Sequence, residues 1–172
     1  MRRLLLALLL LSSACALQPY RDLDPESREF LSLVRYVITQ QETRVFLALP
    51  VESRPGFIVD FWISRDPTPG TVRNEFKETY LQRIAETNFL FGDYGPGWLS
   101  DRGRVYILVG PPTDRLTYPR GATFYGVPSE LWYYGWFTIL FVDERWVGDY
   151  RLSPSSAEQL AKIMAAAMEG RR

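Results

Sequence analysis

The hydrophobic period of this chain changes once, near Gly92, and that change favours a fold with helices first and strands after. Before Gly92 the apolar residues recur at helical spacing. Asp24-Pro25 supplies a cap followed by Pro at the first helical position, and Phe30, Leu33, Val34 and Val37 follow as one face. Thr39 with Glu42 makes a capping box for a second helix carrying Val45, Phe46 and Leu49, which Pro50 ends. After a break at Pro55-Gly56, Phe57, Phe61 and Trp62 mark a third helix. A fourth is expected from about Thr71, with Phe76, Tyr80, Ile84 and Phe91 on its buried side.

Beyond Gly92 the chain reads GDYGPGW, a turn-rich loop, and then RVYILVG, whose β-branched and apolar content predicts a buried strand ending at Pro111-Pro112. Residues 113 to 129 read as a loop. LWYY, WFTILFV and WVGDYRL read as an antiparallel meander, and Ser155 with Glu158 caps a closing helix striped by Leu160, Ile163, Met164, Ala167 and Met168. The expectation is an α+β fold: a helical N-terminal half packed on a small antiparallel sheet, closed by a C-terminal helix, as one domain over residues 25–168.

Composition removes much chemistry. The chain has 172 residues, no histidine and one cysteine. A Ser-His-Asp triad, a Cys-His pair, an imidazole metal site, a cysteine zinc cluster and an internal disulfide are all excluded. Basic and acidic residues number 20 each, so the electrostatic footprint of a nucleic-acid binder is missing. No cofactor motif stands out. Gly92, Gly95 and Gly97 lack the Lys-Ser/Thr that a phosphate-cradling loop needs.

The N-terminus, MRRLLLALLLLSSAC, has two arginines, an apolar run from Leu4 to Leu11, and small residues before Cys15. This is the pattern of a signal peptide over residues 1–14. The run of eight apolar residues spans ~12 Å as a helix, short of a ~30 Å bilayer core. Cys15 stands where a lipoprotein is cleaved and acylated, with residues 15–24 as tether; Ser12 and Ala14 also suit ordinary signal peptidase, which leaves a soluble periplasmic protein as the alternative. Acylation at Cys15 implies attachment to the cell envelope, with the outer membrane facing the periplasm as the expected site.

Two stretches, FWISRDPTPGTVRNEF (61–76) and GWLSDRGRVYILVGPP (97–112), carry more unusual residues than patterning requires. In that order they resemble the GWxTD domain, a bacterial family of uncharacterised biochemical function often found on exported proteins. The resemblance covers roughly residues 30 to 152, with Ser100 where the name-giving motif has Thr. It implies a fold and an envelope setting, and brings no reaction, ligand or catalytic residue.

The residues these motifs single out are Arg65, Asp66, Asn74, Glu75, Arg83, Trp98, Ser100, Asp101, Arg102 and Arg104. Two roles are open to them. Arg65 and Asp66 can pair across the Pro67 corner, with Asp101 or Arg102 as further partners. Alternatively Arg65, Arg83, Arg102 and Arg104 form an anion clamp. Asp66, Glu75, Asp101 and Glu130 are the carboxylates from which a glycosidase-like pair would be drawn. Trp132, Tyr133, Tyr134, Trp136, Trp146 and Tyr150 either fill the core or make an aromatic platform.

The function expected is a lipid-anchored envelope module without catalysis, binding a protein or glycan partner through the sheet surface and the 92–104 loop. The alternative is a carboxylate-dependent hydrolase of glycan or cell-wall material.

Overall fold

The computed structural model describes residues 23–120 and 126–169, with side chains through residue 166. The signal-like segment, Cys15 and the far end of the closing helix's stripe, Ala167 and Met168, fall outside that description. Five helices precede a four-stranded antiparallel sheet and a sixth follows it, among the described residues: α1 (Pro25–Leu33), α2 (Gln40–Ala48), α3 (Arg54–Ile63), α4 (Glu75–Phe91), α5 (Asp101–Val109), β1 (Asp114–Tyr118), β2 (Ser129–Tyr133), β3 (Thr138–Val142), β4 (Arg151–Leu152) and α6 (Pro154–Glu169). The α+β order is as the sequence predicts. Contacts divide the chain into two compact units, one ending at Ser64 and the other beginning at Arg65.

The first unit is a three-helix cluster built on phenylalanines. Asp24 caps α1 by accepting the Ser27 N–H at 2.9 Å, and Thr39 and Glu42 complete the capping box of α2. Phe30 meets Phe46 at 5.1 Å and Phe61 edge-on at 5.3 Å between ring centroids. Arg54 donates to Asp24 (2.7 Å) and to the Ser27 hydroxyl (3.0 Å), tying the start of α3 to the cap of α1. Pro55-Gly56 proves to be part of the first turn of α3 rather than a break, because Pro needs no N–H partner there.

In the second unit α4, α5 and α6 bury one face of the sheet. Phe91, Val105 and Leu160 from the three helices meet Trp132, Ile139 and Phe141 from β2 and β3. The register puts Trp132 opposite Ile139 and Glu130 opposite Phe141, so these four share the covered face.

Five expectations change here. RVYILVG is not a strand: it forms most of helix α5, with Ser100 as its N-cap. The segment is enclosed on several sides, with Gly103, Val105 and Ile107 all buried, and a short apolar run with no polar face has no period that separates helix from strand. β1 lies inside the expected 113–129 loop; as an edge strand with four of five residues exposed it shows no alternation. Of WVGDYRL only Arg151–Leu152 pairs as a strand. Two caps also move: α4 starts at Glu75 with Asn74 as N-cap, and α6 is capped by Ser153, which accepts the Ser156 N–H at 3.3 Å.

Candidate functional site

The GWLSDRGR segment (97–104) wedges a tight turn and the start of α5 against α4. Gly97 is buried, and a Cβ there would overlap the Thr87 carbonyl oxygen; one at Gly103 would overlap the carbonyl of Gly97. Both glycines are therefore demanded by close backbone approach. Ser100 closes the turn, its hydroxyl donating to the Gly97 carbonyl (2.7 Å) and accepting the Gly103 N–H (3.0 Å). A threonine hydroxyl has the same two bonds available, so serine preserves the cap. Trp98 is half-buried, and its N–H donates to the Asn88 side chain at 3.3 Å.

The next two residues reach across to the sheet. Asp101 accepts the Leu152 N–H at 2.8 Å, pinning β4 to the start of α5. Arg102 donates to Glu130 at 3.2 Å, with its guanidinium stacked 5.0 Å from the Phe91 ring and 4.6 Å from that of Tyr150. Glu130, on the covered face of β2, is only 1% exposed. Its charge is balanced by Arg102 and by Arg115 of β1 (3.0 Å), and the Trp132 indole N–H donates to it at 2.6 Å. A buried carboxylate needs such a set of partners.

The other arginines have different work. Arg83 of α4 donates to the Ile107 carbonyl (3.0 Å), in the last turn of α5, and Gly110 lets that guanidinium lie close, since a Cβ would sit 2.9 Å from it. Arg104 points outward from α5. Arg83, Arg102 and Arg104 are thus divided among separate tasks. Tyr134 donates to the Gly110 carbonyl (3.0 Å), and burial pushes its phenol well above the usual tyrosine range.

The first motif forms a corner of its own. Asp66 accepts the Thr68 N–H (2.9 Å), and Thr68 donates its hydroxyl to Glu75 (2.6 Å), a bond that holds the Glu75 carboxyl below its ordinary range. Asn74 caps α4 through the Lys77 N–H at 2.8 Å, and Arg65 sits half-buried where the corner begins. The four carboxylates weighed as a catalytic pair are each engaged: Asp66 by a backbone amide, Glu75 by Thr68, Asp101 by Leu152 and Glu130 by two arginines and an indole. Among the described residues no cluster of three acidic or cysteine side chains could hold a metal ion.

What the second motif leaves open is a cavity of about 150 Å³, lined chiefly by Phe91, Tyr94, Leu99, Arg102, Tyr150 and Arg151. The turn between β3 and β4 forms one edge of it through Gly148 and Asp149. The aromatic set divides by position: Trp132, on the covered face of β2, is wholly buried, whereas Trp136 and Trp146 are exposed at the turns on either side of β3.

The profile of the GWxTD domain matches residues 19–135, about two thirds of the chain, and both motifs lie within that span. The chain belongs to the GWxTD-domain family. No curated protein and no solved structure matches it. In this GWxTD domain the name-giving segment is the junction between α4, α5 and β4, and the Ser100 hydroxyl, the Asp101 carboxylate and the Arg102 guanidinium bond to other parts of the same chain. The match stops before β3, so the β3–β4 turn that edges the cavity lies beyond the matched residues. Arg115 and Tyr94 were not singled out from sequence; an arginine on an exposed edge strand and a tyrosine in a glycine-rich turn carry no local pattern.

Proposed function

We propose that this GWxTD protein is a non-catalytic binding or assembly module of the bacterial cell envelope, anchored by lipid on Cys15. One observation carries the non-catalytic part: every carboxylate considered for acid-base work, and the motif's hydroxyl as well, already has a partner within the fold, while the surface at Ser100 and Arg102 offers a cavity edged by aromatic side chains. A carboxylate-dependent hydrolase would need two carboxyls facing one cleft, one of them available to a water or a sugar. The leader-like N-terminus and its cysteine support the envelope setting, as does the family's occurrence on exported proteins.

Site-specific photo-crosslinking in native envelopes tests this reading. A photoreactive residue at Leu99, exposed on the cavity wall, should give a discrete adduct with an envelope component, and one at Arg104, on the outward face of α5, should not. No adduct from Leu99, or equal adducts from both, would count against it.

A further inference from the structure

Trp146 is the one non-glycine residue with positive φ (57°) among the described residues. A left-handed backbone costs an L-amino acid energy and is usually left to Gly or Asn, so a tryptophan there is held by its surroundings. The surroundings are specific. The Trp146 N–H closes a turn onto the Asp143 carbonyl (3.3 Å), and the buried Asp143 carboxylate accepts the next two amides, Val147 (3.2 Å) and Gly148 (2.6 Å). Gly148 also has positive φ and lies directly beneath the Tyr94 ring, where no Cβ would fit. The turn is thus preformed, and it displays an indole 56% exposed that makes no hydrogen bond or ring contact within the described residues.

The same turn edges the cavity. Gly148 and Asp149 line it together with Tyr94 and Leu99, both exposed, and Trp146 and Val147 stand exposed just before Gly148 in the same turn. A volume of about 150 Å³ suits one benzene-sized group. The rim has a sign. A single Asp149 oxygen holds both Arg145 (2.5 Å) and Arg151 (2.8 Å); the carboxylate side chain is 22% exposed, against 70% and 63% for the two guanidiniums. Of these three groups, two of which (Asp149 and Arg151) line the cavity, the ones that face outward are cationic. Preformed Trp, Tyr and Arg around a pocket are the residue types that dominate binding energy at protein interfaces.

The geometry points to the cavity between Tyr94 and the β3–β4 turn, with the Trp146 indole displayed by that turn, as the docking site for a protein segment that inserts one large apolar side chain between flanking acidic residues. This rests on reading the chain as a binding module and names the partner's chemistry. Specificity would come from the cavity for the apolar anchor and from Arg145 and Arg151 for its acidic flanks.

The test uses the isotope-labelled full-length chain in detergent and three synthetic peptides, DDFDD, DDADD and KKFKK. Titrating DDFDD should shift the NMR signals of the Trp146 indole, Leu99 and Gly148. DDADD and KKFKK should bind at least tenfold more weakly. Trp146→Gly, which relieves the left-handed strain, should abolish the response while leaving the urea midpoint unchanged or higher. The inference is overturned if DDFDD gives no localised shifts, if the charge-reversed peptide binds as well, or if Trp146→Gly lowers the midpoint sharply, since the indole would then be serving the fold. Crosslinking at Leu99 separates the two levels: an envelope adduct that persists in Trp146→Gly keeps the binding-module reading and removes this cleft, and loss of all adducts in the unsubstituted chain removes both.

Discussion

Arg102, in the first turn of α5, reaches 3.2 Å from Glu130 on the covered face of β2, and it lies sandwiched between Phe91 and Tyr150 as it does so. This one bond joins the family's name-giving motif to a buried charge in the sheet. It explains why an arginine follows Ser100-Asp101: a lysine ammonium could neutralise Glu130 but could not stack flat between two rings. The polar residues of the motif therefore act first on the fold, and the cavity beside them is shaped by that work.

Glycine positions in the motif should be intolerant in proportion to what a Cβ meets. Gly97→Ala and Gly103→Ala drive a methyl into backbone carbonyls, which cannot move as a side-chain tip can. Each should cost about 3 kcal/mol or more. Gly56→Ala, in the first turn of α3 with open space around it, should be stabilising by ~0.5 kcal/mol. Urea unfolding midpoints of the three variants would check the contrast.

Asp101 should matter as an acceptor rather than as a charge. Asp101→Ala leaves the Leu152 N–H without its partner and is expected to cost about 1–3 kcal/mol. Asp101→Asn retains a carbonyl oxygen and should recover most of that. Hydrogen exchange at the Leu152 amide should accelerate in the alanine variant and stay slow in the asparagine one.

The helical elements were legible in the sequence because their caps are local: Asp24-Pro25, Thr39 with Glu42, and the apolar spacing that follows each. α5 was not, because its helical character depends on enclosure by α4 and the sheet, and a run such as VYILV has no polar side to mark the period. Glu130 stood out as a charge within an aromatic strand, but its partners Arg102 and Arg115 lie 28 residues before it and on a neighbouring strand, a relation that only the fold supplies. Trp146 read as one more aromatic; its left-handed backbone depends on Asp143, three residues back, acting as an amide acceptor.

Stability should fall in acid. Glu75 is held below its ordinary value by the Thr68 hydroxyl, and Glu78 by Arg73. Asp24 is held down by Ser27 and Arg54. Desolvation pushes Asp149 upward, but Arg151 and Arg145 outweigh it, so its carboxyl also lies low. A depressed folded-state pKa gives stability that is present above the unfolded value and lost as pH falls through the folded one. Urea midpoints should hold near neutrality and decline below about pH 4. At the other end burial raises the phenols of Tyr106, Tyr134 and Tyr150, which favours the neutral form in the folded state. That contribution is complete below the unfolded tyrosine value, near pH 10, and should be lost above it. Midpoints that stay flat through both limits would contradict these assignments.

The measurement that bears most directly on the account is a double-mutant cycle on Arg102 and Glu130. If the motif serves the fold, Arg102→Met leaves a buried carboxylate with Arg115 as its remaining cation and should destabilise the protein by about 3 kcal/mol. Glu130→Gln should cost less, because the amide oxygen can still accept from Trp132. The double variant should be more stable than the sum of the two losses implies, by at least about 1 kcal/mol. If instead Arg102→Met leaves the unfolding midpoint in place and the two effects simply add, the motif arginine is not holding the sheet, and the claim that this segment is structural fails.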